Sequence, residues 1–227
     1  EYSQFLNFLW VLAPTRVVRF LFMVKSVYPA LECEKKNGSE PFHCRGESLG
    51  FDVLSFWQWS VSNLATNNLR GHLAEYLVAY DLGLSSGIRA EWDTCDLITD
   101  AGTRIEVKSA SYIQSWEQDK LSMITFGVAP AQGWDSALQI RTKETQRNSD
   151  VFVFCLIHEK DKAVFDPTNT AQWIFYILPT SVLNEKLGMQ KSISLGGLLK
   201  LEPAICQFGK INETISAVLQ SSASPAI

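Results

Sequence analysis

Apolar residues recur at helical spacing between residues 51 and 65. Leu54, Trp57, Val61 and Leu64 fall three or four positions apart, so they would share one face of an α-helix. The spacing predicts an amphipathic helix whose apolar face packs against a core.

Three aromatic residues lie within this predicted helix. Phe56, Trp57 and Trp59 carry large apolar surfaces that a folded protein normally buries, so we interpret the cluster as part of the core. Stacking against nucleobases is the alternative use of such a cluster.

A second helix is predicted over residues 69–83, and one of its faces consists mostly of small residues. Glu75 lies in that face, and a carboxylate in apolar surroundings needs a partner. Either Glu75 forms a salt bridge with Arg70 or Arg89, or it points into a functional site. Arg70 and His72, near the start of the helix, would either contact phosphate or lie on a solvated surface.

The segment 93–110 is predicted to form a β-hairpin. Asp100 to Gly102 would form a three-residue loop between two runs rich in β-branched residues, with glycine in the left-handed position. This register sets Asp96 opposite Glu106, and strand alternation places Lys108 on the same face as Glu106. Three charged side chains are thus expected to converge.

The other side of the hairpin is apolar. Cys95, Leu97, Ile105 and Val107 alternate with the charged positions and are expected to face the core. The hairpin therefore presents one face to the core and one charged face to a site.

Two opposed carboxylates on a sheet destabilise it unless a positive charge lies nearby. At ~5 Å and an effective dielectric constant near 20, the repulsion is roughly 3 kcal/mol. Lys108 would offset part of it, and a divalent cation would offset more. Hard oxygen ligands favour Mg²⁺, which is usually bound by one or two carboxylates.

Asp96 followed by Glu106-Val107-Lys108 resembles the active-site motif of the PD-(D/E)xK nuclease superfamily, which has the restriction-endonuclease-like fold. Cys95 stands where that motif has proline. The resemblance implies that Asp96, Glu106 and the Val107 carbonyl hold Mg²⁺, with Mn²⁺ as an alternative. It also implies that Lys108 positions or activates the attacking water.

The resemblance adds two further site residues. Glu75 would be the glutamate that a preceding helix often contributes, binding a second metal or orienting a water. Gln114, if the strand continued, would share the face of Lys108 and contact substrate or metal-bound water. A polar surface position is the alternative for Gln114.

The implied function is a metal-dependent nuclease that hydrolyses phosphodiester bonds in DNA, in repair, recombination or defence. RNA is the alternative substrate, and such enzymes often act as homodimers. A non-catalytic module on the same fold, binding nucleic acid or protein, is the alternative function.

Three later apolar segments predict strands, at residues 123–128, 151–158 and 172–179. Helices are predicted at 180–187 and 210–219. With the earlier elements, this order indicates an α/β fold: a restriction-endonuclease-like core with a mixed β-sheet of about five strands flanked by helices.

The polar segment 130–150 is predicted to be a loop. Arg141, Lys143 and Arg147 make it the densest basic stretch of the chain, which suggests contacts with backbone phosphate. A solvated loop is the alternative interpretation.

Residues 1–45 differ from the remainder, and we expect them to be peripheral or poorly ordered beside a single domain at 46–227. Their apolar runs are too interrupted for a membrane span, so no membrane partner is expected, and a membrane-associated helix is the alternative. Residues 32–48 are predicted to be a polar linker. Five scattered cysteines fit the cytoplasm. The net charge of −4 weighs against nucleic-acid binding unless a metal ion assists.

Overall fold

The computed structural model describes residue 28 and residues 31–89, 94–135 and 140–223. The chain divides into two compact units, residues 1–34 and 35–227, and every helix and strand named below lies in the second. Within the described residues, no helix is both long and apolar enough to cross a membrane.

The secondary structure begins with a short hairpin and two helices, continues through the strands of the central sheet, and ends with a helix. The elements are β1 Pro41–Cys44, β2 Glu47–Asp52, α1 Val53–Val61, α2 Asn67–Asp81, β3 Leu97–Ile98, β4 Arg104–Ser111, β5 Thr125–Gly127, β6 Ala131–Asp135, β7 Ile140–Gln146, β8 Val151–Ile157, β9 Trp173–Pro179, α3 Thr180–Leu187, β10 Ser192–Ser194, α4 Leu195–Leu199, β11 Ala204–Cys206 and α5 Ile211–Ala223.

Five strands form the central sheet in the order β11-β9-β8-β4-β3. The strands β4 and β8 are parallel, in a register that runs from Ile105 opposite Val151 to Ser111 opposite Ile157, and the other neighbours are antiparallel. The predicted α/β fold with a mixed five-stranded sheet is confirmed.

Helices cover both faces of this sheet. All seven residues of β8 are buried, as expected for a continuous apolar run in a central strand. One face packs on α2 and α5 through side chains such as Ala74, Val78 and Ile215. The other packs on α3, α4, β5 and β10 through side chains such as Phe126 and Leu183.

A charged pair fixes the start of the parallel strands. The Arg104 guanidinium donates to the Asp150 carboxylate at 2.9 Å, and each backbone N–H of the pair donates to an oxygen of the other residue at 2.8 Å. The Arg104 side chain lowers the pKa of Asp150. These contacts set the register that carries the charged residues of β4.

Two segments predicted to be irregular form strands. Residues 41–48 of the predicted polar linker, together with residues 49–52, form the β1–β2 hairpin, where Phe42 stacks on Phe51 with ring centroids 4.8 Å apart. Residues 131–146, predicted to be loop, form the antiparallel pair β6–β7. Both pairs are two-stranded sheets separate from the central sheet.

The interpretation of the α1 aromatics as core residues is wrong. No residue of α1 is buried, and the exposed fraction is 84% for Trp59 and 48% for Phe56. Trp57 is partly buried, close to Gly38. The helical period was predicted correctly, but the predicted apolar face does not pack into either core cluster.

The first strand predicted before the hairpin is not found where it can be checked. Ile88 and Arg89 belong to no strand. The rest of the predicted segment, residues 90–92, lies outside the described residues.

Candidate active site

The charged residues of the predicted site lie at and beside the β3–β4 hairpin. Its loop is as predicted, since the Thr99 N–H donates to the Thr103 carbonyl and Gly102 has a φ of +83°. Leu97 pairs with Ile105, as the predicted register requires. The sequence therefore identified both the turn and the pairing.

The regular ladder ends one residue before the predicted pairing of Asp96 with Glu106. The Asp96 N–H donates to the Ile105 carbonyl at 3.1 Å, and its carboxylate turns to accept from the Val107 N–H at 2.7 Å. The Asp96 side chain thus occupies the edge of β4 where a longer β3 would have formed its next backbone hydrogen bond. This contact fixes one oxygen of the acid.

Glu106 and Lys108 share a face of β4, as predicted. The Lys108 ammonium donates to a Glu106 carboxylate oxygen, and both side chains are partly exposed. The apolar residues between and beside them, Ile105 and Val107, face the core on the other side of the sheet.

The electrostatic interactions show that the three charged groups are close together. Burial, and then the negative charge of Glu106, raise the pKa of Asp96 to about 6. Burial alone would lower the pKa of Lys108, but the charges of Glu106 and Asp96 outweigh burial and raise it. The site therefore holds excess negative charge that Lys108 only partly balances.

Glu75 of α2 forms the salt bridge that the sequence offered as one alternative. Its carboxylate accepts two hydrogen bonds from the Arg89 guanidinium, at 2.5 and 3.1 Å, and its side chain is 13% exposed. The charge of Glu75 also contributes to the raised pKa of Asp96. Glu75 therefore belongs to the same electrostatic neighbourhood, while Arg89 holds its carboxylate.

Gln114 was expected to share the face of Glu106 and Lys108 only if the strand continued, and that condition is not met. The strand ends at Ser111, and Gln114 turns to the side of the sheet that α2 covers. Its amide donates to the Ser111 carbonyl at 2.9 Å and to the Ser122 hydroxyl at 3.2 Å, and its oxygen accepts from Arg70. Gln114 holds together the loop that follows the charged strand.

Arg147, one of the three basic residues suggested to contact backbone phosphate, is buried instead. Arg147 is only 7% exposed and donates to the carbonyls of Val128, Gly188 and Gln190 and to the Asn184 side chain, so it fixes the fold and offers no surface to phosphate. Arg141 and Lys143 lie on β7, and their side chains are outside the described residues.

Arg70, predicted to be exposed or paired with Glu75, is instead buried at 6% exposure and pairs with neither Glu75 nor any other described carboxylate. The sequence carried one signal of this burial: Arg70 lies one turn before Ala74, on the face of the helix that packs against the sheet. Burial lowers its pKa.

The residues present fit a hard divalent cation through two carboxylates. Asp96 and Glu106 carry carboxylate oxygens in a region of unbalanced negative charge, and Mg²⁺ commonly takes one or two carboxylates plus water and phosphate. Among the described residues, no group of three or more Asp, Glu, His or Cys side chains is arranged to hold a metal ion.

Comparison with known proteins assigns this α/β chain to a class of nucleases. Residues 42–197 match the family model described as bacteriophage T4 endonuclease IV. The match covers more than half of the chain, which therefore belongs to that family. No significant match was found among curated proteins or among solved structures.

Proposed function

We propose that the chain is a divalent-metal-dependent endonuclease of the PD-(D/E)xK type, which hydrolyses phosphodiester bonds in DNA. The observation that carries the proposal is the convergence of Asp96, Glu106 and Lys108 at one end of the β3–β4 hairpin, where the carboxylates raise the pKa of Lys108. Membership in an endonuclease family supports the reaction class.

Asp96 and Glu106 would hold the metal, with the Val107 carbonyl on the same edge of β4 as a third oxygen. The Val107 N–H orients Asp96, so its second oxygen can turn away from the strand. A bound Mg²⁺ or Mn²⁺ would polarise the phosphoryl group and lower the pKa of a bound water.

Lys108 would act as a positive charge and hydrogen-bond donor. Because nearby carboxylates raise its pKa, the amine stays protonated at neutral pH and is a poor general base. Its role would be to hold the attacking hydroxide and to stabilise negative charge developing on the phosphorus oxygens. This requires Lys108 to share its hydrogen bonds between Glu106 and substrate.

Glu75 would orient a ligand water or bind a second metal ion. The salt bridge to Arg89 competes with that role. The Arg89 side chain is 39% exposed, so water can replace part of the contact when a metal ion attracts the carboxylate. RNA is the alternative substrate in this proposal, and a homodimer is the alternative assembly.

Incubation with plasmid DNA, linear DNA and RNA tests the proposal. The wild-type protein should cleave DNA with Mg²⁺ or Mn²⁺ and not with EDTA, while Asp96→Ala and Lys108→Ala should lose cleavage. Absence of metal-dependent cleavage, or cleavage by both variants at the wild-type rate, would contradict the proposal. Binding without cleavage would favour the non-catalytic module.

A further inference from the structure

The helix α1 is apolar over most of its surface and yet contributes nothing to the core. Of its nine residues, six are apolar, none is charged and none is buried. Ser55 and Gln58 are three positions apart and therefore share one side of the helix, and apolar side chains occupy most of the remaining circumference. A helix that is apolar nearly all round is normally buried. Among the described residues, α1 does not have the cover that its composition favours.

The hairpin that precedes α1 is exposed in the same way. All four residues of β1 and five of the six residues of β2 are exposed. Phe42 stacks on Phe51 across the hairpin, and Leu49 lies two positions before Phe51, on the same face of β2. Within the described part of the chain, no third strand pairs with this hairpin. Since an isolated two-stranded hairpin is marginally stable in water, a partner on its apolar face would stabilise it.

Hairpin and helix are continuous, because β2 ends at Asp52 and Asp52 is the N-cap of α1. Trp59 is 84% exposed, and the other large apolar side chains of these elements that are exposed range from 38 to 53%. Together with Trp59 they form the α1 surface, and they are Phe42, Leu49, Phe51, Leu54, Phe56 and Val61.

The area of the α1 surface is that of a protein interface. At roughly 200 Å² for a fully exposed side chain of this size, the seven residues expose on the order of 700 Å². Apolar patches of this size are uncommon on monomeric proteins and mark interaction sites. Each partner of a standard-sized interface contributes ~800 Å². The α1 surface is therefore large enough for a stable complex with another protein chain.

The charges around the α1 surface balance, which decides between its potential partners. Residues 35–62 contain three basic side chains, Lys35, Lys36 and Arg45, and three acidic ones, Glu40, Glu47 and Asp52. DNA binding requires an excess of basic residues, so this balance disfavours DNA. In a two-fold symmetric dimer the same patch meets itself, so any excess charge would face a like charge. A neutral apolar patch satisfies that requirement.

We propose that the α1 surface is a homodimer interface, in which it packs against the same surface of a second copy of this chain. Trp59 is the anchor of the interface, because it is the most exposed residue of the surface and tryptophan is enriched among residues that carry most of the binding energy. The inference does not rest on the proposed nuclease function, since it uses none of the charged residues of β3 and β4.

Trp59→Glu tests the interface in the full chain. Because the side chain is exposed in the single chain, the variant should fold, whereas a dimer would bury two carboxylates against apolar surface. Phe56→Glu makes the corresponding change one turn earlier on the same helix. Trp116→Glu is the matched control, because Trp116 is 53% exposed in the loop that follows β4 and is not part of the α1 surface.

Sedimentation velocity is measured without DNA or metal between about 1 and 100 μM, a range suited to a micromolar dissociation constant. We expect wild type and Trp116→Glu to shift from the mass of one chain, 25.5 kDa, towards twice that mass. Trp59→Glu and Phe56→Glu should raise the dissociation constant at least tenfold. Thermal unfolding should show Trp59→Glu to be as stable as wild type at the lowest concentration and less stable at the highest, because only the dimer is affected.

A wild-type protein that stays monomeric at about 100 μM would overturn the interface. Trp59→Glu would then identify the other occupants: lower stability at every concentration would mean that another part of the same chain covers the surface, and weaker DNA binding in EDTA would mean that DNA does. Dimerisation of both variants with wild-type affinity would also overturn it. A wild type that dimerises through this surface but never cleaves DNA would leave the interface standing and contradict the nuclease proposal.

Discussion

The Asp96 carboxylate accepts a hydrogen bond from the Val107 N–H at 2.7 Å, one residue beyond the end of the β3–β4 ladder. The side chain thereby replaces a backbone partner and holds an acid at the edge of the strand that carries Glu106 and Lys108. Burial and Glu106 oppose the ionised form of this acid. Local structure and charge repulsion thus act against each other at one residue.

Asp96→Asn should increase stability at neutral pH. The folded-state pKa of about 6 lies above the ordinary value of 3.8, so the folded protein binds the proton more tightly than the unfolded chain. Ionisation of Asp96 therefore destabilises the folded protein. This effect is absent below pH ~4, grows as the pH rises, and is complete above pH ~6. At ~1.4 kcal/mol for each unit between the folded and unfolded pKa values, the effect is about 3 kcal/mol. Asparagine keeps an oxygen for the Val107 N–H.

Urea unfolding of wild type and Asp96→Asn at several pH values measures this effect. The two proteins should differ near pH 7 and converge near pH 4. A variant that is less stable than wild type at pH 7 would show that the Asp96 charge is favourable in the fold.

Lys108→Met should reduce single-turnover cleavage by roughly 10²–10³-fold, because it removes a charged donor aimed at the developing negative charge. The variant should still fold, since the Lys108 side chain is 32% exposed. Lys200→Met, on the exposed C-terminal end of α4, is the control for losing a lysine. Equal rates for both variants would exclude a catalytic role for Lys108.

Glu75→Gln separates the two roles of Glu75. If the residue serves only the salt bridge to Arg89, then Glu75→Gln and Arg89→Gln should have the same effects. We expect instead that Glu75→Gln lowers cleavage at least tenfold, while Arg89→Gln lowers it much less. Each should cost about 1 kcal/mol or less in stability because the pair is partly solvated. Cleavage rates and urea midpoints of both variants provide the comparison.

In the monomer, Trp59→Ala should change the free energy of unfolding by less than about 0.5 kcal/mol, since the side chain is 84% exposed. Trp57→Ala in the same helix should cost more, because its ring lies against Gly38. Thermal unfolding of the two variants tests the contrast. A large loss in Trp59→Ala would show that the aromatic surface is covered in solution.

Arg147→Met should destabilise the protein by about 3 kcal/mol or more. Methionine keeps part of the volume but leaves the Val128, Gly188 and Gln190 carbonyls without their donor. Lys186→Met, at an exposed position of α3, is the control for replacing a basic residue by methionine. A variant as stable as wild type in urea would mean that water replaces the guanidinium at little cost.

The hairpin and the buried strands could be predicted because their signals are local. Asp100 to Gly102 defines the turn, and the unbroken apolar run of β8 reports burial on both faces. The exposure of α1 could not be predicted, because periodicity identifies an apolar face without showing whether another element covers it. The β6–β7 pair was missed because the polar segment 130–150 lacks the apolar run that predicted the strands of the central sheet.

The positions of site residues could be predicted where those residues are close together in the sequence. They could not be predicted where they depend on contacts between distant parts of the chain. Glu106 and Lys108 lie two residues apart, so strand alternation alone places them together. The strand ends at Ser111, before Gln114, and Gln114 accepts a hydrogen bond from Arg70, 44 residues away, which local sequence does not report. The choice of Arg89 over Arg70 as the partner of Glu75 likewise depends on tertiary packing.

The central claim is that Asp96 and Glu106 bind a divalent cation on which cleavage depends. The most direct measurement is the single-turnover rate of DNA cleavage as a function of Mg²⁺ concentration, for wild type, Glu106→Gln and the surface control Glu117→Gln. The account predicts saturation with Mg²⁺ in wild type and Glu117→Gln, and a loss of at least 10²-fold in Glu106→Gln. Cleavage by Glu106→Gln at the wild-type rate, or cleavage in EDTA, would contradict it.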